Sequence, residues 1–315
     1  MDQLRGMRVF AKVIDAGSFA KAAQALNIAP AVATRLVAEL EEHLGARLIT
    51  RTTRRLALTD VGEEYLERVR GILSEVDDAE AVAGMAAAEP RGRLTVLAPP
   101  GFAVHQLAKH LPRFRSLYPR VSLELTVASS VESPDENHDV TIVVQRVRPI
   151  EGAFIARRVA IAEVVLCATP EYLTQHGRPA HPSELAERDV LMPILPSEQQ
   201  ELSFRPTWGE GPIVKVPRRR QPPLATTHSD TLYAATLAGL GIGGLPSFVA
   251  EDALSSRALE RVLPQWHMQT VTLFAAIHSR KHIPMRVRAF VDFLVATFGA
   301  PERDPWLAAA GCESC

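Results

Sequence analysis

The chain has little cysteine, no net charge to speak of and no long apolar run. Its 315 residues include 3 cysteines, Cys167, Cys312 and Cys315. That number is odd, and no histidine or further cysteine lies near enough in sequence to complete a zinc site around Cys312 and Cys315. The pair therefore reads as solvent thiols on a frayed tail. Cys167 lies within Val164-Val165-Leu166-Cys167-Ala168 and reads as a small buried hydrophobe. No stretch approaches the ~18 uninterrupted apolar residues of a membrane span. The first residues run straight into an amphipathic helix carrying Asp2, Arg5 and Arg8, with no signal peptide, so a cytoplasmic protein without a membrane partner is expected. No Ser-His-Asp set, metal cluster or phosphate loop stands at working spacing. His105, His110, His138 and His228 are scattered and read as surface residues. An enzyme is not expected, nor a cofactor or metal. The run Leu240-Gly241-Ile242-Gly243-Gly244-Leu245-Pro246 follows a helix rather than a strand, so it fails the context of a dinucleotide loop.

The length implies two or three units, and the 47% hydrophobic and 23% charged content is that of a globular protein. The net charge of −1 hides an asymmetry. Arg35, Arg47, Arg51, Arg54 and Arg55 precede a series of acids from Asp60 to Glu80. Apolar residues recur at helical spacing from Leu4 to Val13, Gly17-Ser18 stops that helix and caps the next, and a short alanine-rich helix runs from Phe19 to Leu26. After the tight connection Asn27-Ile28-Ala29 a third helix opens at Pro30, whose missing N–H suits the first helical position. Ala33, Val37, Leu40 and Leu44 should face inward, leaving Pro30, Ala31, Thr34, Arg35 and Ala38 outside. Two short helices, a tight turn and an exposed third helix place side chains in a major groove. Thr34 and Arg35 suit phosphates or base edges, and Pro30 and Ala31 suit a thymine methyl. Beyond Gly45, Leu48, Leu56 and Leu58 bracket a polar tip, which is the pattern of a two-stranded wing. Its Arg51, Arg54 and Arg55, with Thr52 among them, would neutralise phosphates of double-stranded DNA.

The run Met7-Arg8-Val9-Phe10, Gly17-Ser18-Phe19, Ala22-Ala23, Leu26, Leu40-Glu41, Leu44-Gly45, Arg47-Leu48, Arg51-Thr52 and Leu58-Thr59-Asp60-Val61-Gly62 resembles the LysR-type transcriptional regulators. The likeness extends more loosely over nearly the whole chain. It implies an α/β protein overall: an N-terminal winged helix-turn-helix, a long linker helix, and a two-lobed α/β effector domain resembling a periplasmic binding protein. It also implies DNA contacts at Pro30, Ala31, Thr34, Arg35 and the wing arginines. The chain departs from the family at Ala29, where a Ser or Thr cap is common, so a cap interaction of ~1 kcal/mol is missing.

From Asp60 to about Ala88, Tyr65, Val69, Ile72, Val76, Ala79, Ala83 and Ala86 step by four and three, a heptad seam flanked by Leu66 and Leu73. A helix of ~28 residues would reach ~42 Å, suiting a dimer arm; packing on its own domain is the competing reading. Two half-sites require two heads, so a homodimer is expected. The resemblance implies a homotetramer, and RNA polymerase enters as a further partner. Glu89-Pro90-Arg91-Gly92 ends the arm. The expected domains are 1–60 for the DNA-binding head, 61–89 for the linker, 92–300 for the effector domain and 301–315 for a tail.

Beyond Arg93 strands alternate with helices: strands at Leu94–Leu97, Val121–Val127, Val140–Val144 and Val164–Ala168, helices at Leu107–Tyr118 and Asp230–Gly239 and one opening at Pro170. This alternation implies parallel sheets covered on both faces. By the resemblance, the first lobe covers about 92–162 and 269–298, including a strand at Val271–Ile277 and a helix at Met285–Phe298. The second covers about 163–268. Ligands of such folds bind at the carboxyl ends of strands, which nominates Pro100, Gly101, Phe102, Ala128, Ser129, Gln145, Thr226, Thr227, His228 and Ser229 for a small-molecule effector. The family often holds an effector carboxylate with a hydroxyl residue where this chain has Gly101. Either Thr227 and Ser229 take over, or the effector is larger and more apolar and rests on Phe102. Arg218-Arg219-Arg220, flanked by prolines, reads as a solvated loop. A solute-binding protein, a cleft enzyme and a redox-switched regulator are the competing readings; the last would need an exposed thiol of low pKa.

Overall fold

The computed structural model describes the chain except residues 1, 53–54, 84–88, 130, 132, 146–153, 195–200, 208–210, 218–220, 279–282, 300–302 and 313–315, and except the side chains of 51, 52, 55, 74, 75, 77–83 and 278. It divides into two compact units, Met1–Gly92 and Arg93–Cys315.

In the first unit α1 (Gln3–Ala16) is capped by Asp2, whose carboxylate accepts the Arg5 N–H at 3.1 Å, and ends at Gly17, whose φ of +63° suits a residue without Cβ. Ser18 occupies the cap position of α2 (Phe19–Ala25), but its hydroxyl makes no cap bond, which corrects the sequence expectation. Ala22 and Ala23 are fully buried, so helices cross closely there. Asn27 takes a φ of +54° in the turn, and α3 (Pro30–Leu44) starts from Ala29 without a side-chain cap. Strands β1 (Ile49–Thr52) and β2 (Arg55–Leu58) pair antiparallel, Ile49 opposite Leu58.

Helix α4 (Asp60–Ala83) opens with the Thr59 hydroxyl accepting the Gly62 N–H at 2.9 Å. Its apolar residues do not form one seam. Leu66 and Val69 are buried in the core of the head with Phe10, Val13 and Leu40, and Tyr65 and Leu73 pack on the same cluster. Val61 and Ile72 stay exposed, at 54% and 43%. A heptad step of three and four also fits a helix lying on its own domain, and the open face of α1 needed that cover. Ala79, Ala83 and Ala86 lie outside the described side chains.

The second unit opens one residue into β3 (Gly92–Ala98), followed by a helical run of α5 (Pro100–Phe102), a π turn (Ala103–Leu107) and α6 (Ala108–Leu117). Next come β4 (Val121–Val127), β5 (Val140–Gln145), β6 (Phe154–Ala168), α7 (Pro170–His176), a 3₁₀ turn (Pro182–Glu187) and β7 (Val190–Pro193). β8 (Glu201–Pro206), β9 (Val214–Pro217), β10 (Ala225–Thr226), α8 (Ser229–Leu237), β11 (Ile242–Pro246), α9 (Ser247–Ser255) and β12 (Glu260–Val262) follow. The unit closes with β13 (Trp266–His267), β14 (Gln269–His278), α10 (Met285–Phe298) and α11 (Pro305–Ala309).

The sheet runs β10-β7-β11-β6-β14-β5-β3-β4, with β12 also on β6. It is mixed rather than parallel throughout. β3–β5, β7–β11 and β7–β10 are parallel, while β6, β14 and their neighbours β5 and β11 pair antiparallel. The reason is the long pair β6–β14, matched from Phe154 with His278 to Val164 with Gln269. From Val164 onward β6 pairs with β11, so this strand passes from one half of the sheet into the other. β8, β9 and β13 make a separate antiparallel sheet. The glycines of 241–244 serve packing: a Cβ on Gly243 would lie 2.1 Å from Thr236 Oγ1, and one on Gly244 2.1 Å from Met192 Sδ. The segment expected as a frayed tail instead carries α11, with Trp306 and Leu307 buried at 3% and 0% exposure. Cys312 is half-buried, and Cys315 lies outside the described residues.

Candidate DNA-reading face and effector cleft

The amphipathic spacing of α3 gives it two chemically distinct faces. Ala33, Leu36, Val37 and Leu40 are buried, while Pro30, Ala31, Arg35 and Ala38 are exposed and Thr34 is half-exposed. Arg35 Nε lies 3.5 Å from Glu39 Oε1 one turn along, with 69% of the arginine side chain in solvent, so the guanidinium is held ready at little energetic gain. Glu41, next on the helix, turns inward and is 6% exposed. Its Oε1 accepts the N–H groups of Leu48 and Ile49 at 2.8 and 3.0 Å, and Oε2 meets the Arg47 guanidinium at 3.2 Å. One buried carboxylate thus ties the start of the wing to the reading helix. In the sequence Glu41 stands only as part of the Leu40-Glu41 motif, and its neighbours Glu39 and Glu42 hide this role; its place beside Leu40 on the inward face was the available signal. At the wing, backbone places Arg51, Thr52 and Arg55 on β1 and β2, their side chains outside the description; Arg54 lies outside it entirely.

In the second unit two of the nominated residues, Gly101 and Ser229, come together. Pro100 is the first residue of α5, where a missing N–H is harmless, so the helix starts seven residues before Leu107. Gly101 is buried: a Cβ there would stand 2.7 Å from Ser229 Oγ and 2.9 Å from Val249 Cγ2. The two helix starts therefore touch across Gly101 and Ser229. Thr226 accepts the His228 N–H on its hydroxyl at 3.1 Å, and Thr227 is exposed. Ala128 donates to the Ala98 carbonyl at 3.2 Å; Ser129 is exposed and Gln145, at the end of β5, is half-buried.

Phe102 is not available to a ligand. It is 0% exposed and packs edge-on against Phe248, Phe298 and Trp306 with centroids 6.0, 5.4 and 6.5 Å away. That aromatic core, built from residues far apart in sequence, overturns the expectation that an apolar effector rests on this ring.

The sequence also missed the latch beside Gly101. His105 Nε2 lies 3.1 Å from Asp230 Oδ1, and its ring meets Tyr233 at 4.9 Å. Gln106 donates to the Phe248 carbonyl at 2.8 Å and to Glu251 at 2.7 Å; Lys109 donates to Glu251 at 3.2 Å and Asp252 at 2.7 Å. The π turn, a feature often found at functional sites, carries two of these side chains. His105 is therefore a bonded, half-buried group, and His138 likewise faces Asp135 at 2.5 Å. His110 is half-buried against Phe298, where burial, then the charges of Lys109 and Arg113, hold its pKa below the ordinary value. Among the described residues no group of histidines, cysteines and acids could hold a metal ion, and no helix is long and apolar enough to cross a membrane. Burial pushes the Cys167 thiol up to about 12, which disfavours a thiolate switch there.

Known proteins share this architecture. The family described as bacterial regulatory helix-turn-helix protein, lysR family, matches residues 4–63, and the LysR substrate binding domain matches residues 87–299. An HTH-type transcriptional repressor of Pseudomonas aeruginosa is 31% identical over 299 residues, covering 95% of this chain and 93% of its own. The structure of CrgA, a LysR-type regulator from Neisseria meningitidis, matches with a TM-score of 0.58 at 29% identity, covering 94% of this chain and 98% of its own. AphB, a virulence activator of Vibrio cholerae, shares the fold with a TM-score of 0.56 at 24% identity, covering 93% and 98%. This chain belongs to the LysR family of DNA-binding transcriptional regulators, which carry an effector-binding domain and are not enzymes.

Proposed function

We propose that the chain reads its operator with the outward face of α3, through Pro30, Ala31, Thr34 and Arg35, and grips the flanking phosphates with Arg51, Thr52, Arg54 and Arg55 of the wing. The observation that carries this reading is the two-faced α3, which leaves Arg35 in solvent while Glu41 fixes the wing beside it. Phosphate contacts set the register and base-edge contacts the sequence.

The effector site comprises Pro100, Gly101, Ala128, Ser129, Gln145, Thr226, Thr227, His228 and Ser229, without Phe102. Support comes from the meeting of Gly101 with Ser229 at the start of α8, where backbone N–H groups favour an anionic group. Ser229 supplies from the second lobe the hydroxyl that Gly101 lacks. The working domains are 1–60, 61–89 and 92–300, the last divided into lobes of about 92–162 with 269–298 and 163–268. Two chains pair through the exposed stripe of α4 that includes Val61 and Ile72, forming a homodimer that can build a homotetramer through its effector domains; such a regulator works in the cytoplasm.

A thermal-shift screen with small carboxylates, aromatic acids and neutral aromatics tests the effector site, since a ligand of the folded state raises the melting temperature. Acids should score, and Ser229→Ala should abolish their effect. A response to neutral aromatics alone, or one indifferent to Ser229→Ala, would reject this site chemistry.

A further inference from the structure

Helix α11 packs on both parts of the second unit, beside the bonds that His105, Gln106 and Lys109 make between them. Trp306, 3% exposed, packs on Phe102 at the start of the first-lobe helix and on Phe298 at the end of α10, with centroids 6.5 and 5.8 Å away. The same ring meets Phe248 in α9 of the second lobe at 5.5 Å. One indole therefore touches both lobes.

A carboxylate makes the second connection. Asp304, also 3% exposed, caps α11 by accepting the N–H groups of Trp306 and Leu307 on Oδ1 at 2.9 and 3.1 Å. Its Oδ2 accepts the N–H of Glu163 at 2.7 Å. Glu163 stands on β6 directly before Val164, the residue at which β6 begins to pair with β11. The Glu163 carboxylate meets the Arg261 guanidinium of β12 at 3.1 Å. Phe102 in turn adjoins Gly101, which faces Ser229. Separating Gly101 from Ser229 must part Phe102 from Phe248, which touch at 6.0 Å and both pack on the same indole.

We propose that α11 is a clasp across the two lobes, with Trp306 as its wedge and Asp304 as its anchor on the crossing strand, and that it sets how far the effector cleft opens. The clasp stands on contacts within this unit; its regulatory consequence rests on the effector reading above. An effector can shift the lobes only by the difference in its affinity for the two arrangements, and the clasp contributes to the gap it must overcome.

Hydrogen exchange on the full chain without effector tests this, comparing the unaltered protein with Trp306→Ala and Asp304→Asn. In Trp306→Ala, exchange across 100–107 and α9 should quicken about tenfold or more, while β3, β5 and the helices α1 to α3 keep their protection. In Asp304→Asn, which leaves the rings in place, the increase should centre on β6 near Glu163 and on α11. Unchanged exchange in those segments would overturn the clasp. A uniform loss of protection over both lobes would show α11 to be ordinary core and overturn it equally. Loosened lobes together with a silent effector screen would leave the clasp standing and reject the effector reading.

Discussion

Glu41 Oε1 accepts the backbone N–H of Leu48 at 2.8 Å, across the bend that leads from the reading helix into the wing. Leu48 is held from the other side as well: its carbonyl accepts the Thr59 N–H at 3.0 Å, and a Cβ on Gly62 would lie 2.0 Å from that oxygen. Glu41→Ala leaves two buried N–H groups without their acceptor and should destabilise the head by roughly 3 kcal/mol. Gly62→Ala should be at least as damaging, because backbone rather than a side chain must yield. Thermal melts followed on the head's helices check both, and a Glu41→Ala melt matching the unaltered protein would remove the carboxylate from this role.

The split character of α4 separates two substitutions that a single seam would treat alike. Ile72→Asp, in solvent, should give monomers by light scattering with the head still folded. Val69→Asp buries a charge beside Phe10 and should unfold the head first. Dimers surviving Ile72→Asp would place the pairing elsewhere.

Cys167 should resist alkylation in the folded protein, since its thiol is buried and pushed up to about 12. Mass spectrometry after native labelling decides this. Rapid modification of Cys167 with loss of operator binding would restore the redox reading.

Burial raises the pKa of Asp304 above its ordinary value, although Ser247 and the N–H groups of Glu163, Leu307 and Trp306 act in the opposite sense. The folded state thus binds the proton more tightly than the unfolded state, and stability from this group is fully present below the unfolded pKa of about 4 and lost as pH rises through the folded value. The melting temperature of the unaltered protein minus that of Asp304→Asn should therefore fall as pH rises from about 4 toward neutrality. A difference independent of pH would mean the carboxyl titrates as it does unfolded.

Local pattern carried much of this structure. Gly17, Asn27 and Gly45 mark the turns of the head, β4 occupies Val121–Val127 as its apolar spacing implies, and α10 occupies Met285–Phe298 as the family resemblance implies. What was not legible depends on partners distant in the chain. Phe102 looked like a cleft residue until Phe248, Phe298 and Trp306 closed around it. The first part of β6, with Arg157 and Arg158 in solvent, lacks a buried-strand pattern and is recruited by β14. Val69 satisfied a heptad and an amphipathic helix equally, because the two periods barely differ over so few turns. Short α11 offered only Asp304, Pro305, Trp306 and Leu307 as its signal.

Operator binding by Arg35→Ala tests the central claim most directly. Full-length protein and variant are titrated onto the DNA upstream of the chain's own gene at several salt concentrations, with circular dichroism to show that both are folded. Affinity should fall at least about tenfold, with a shallower salt dependence if the guanidinium meets a phosphate. A folded variant that binds the same DNA with unchanged affinity and salt dependence would contradict α3 as the reading helix.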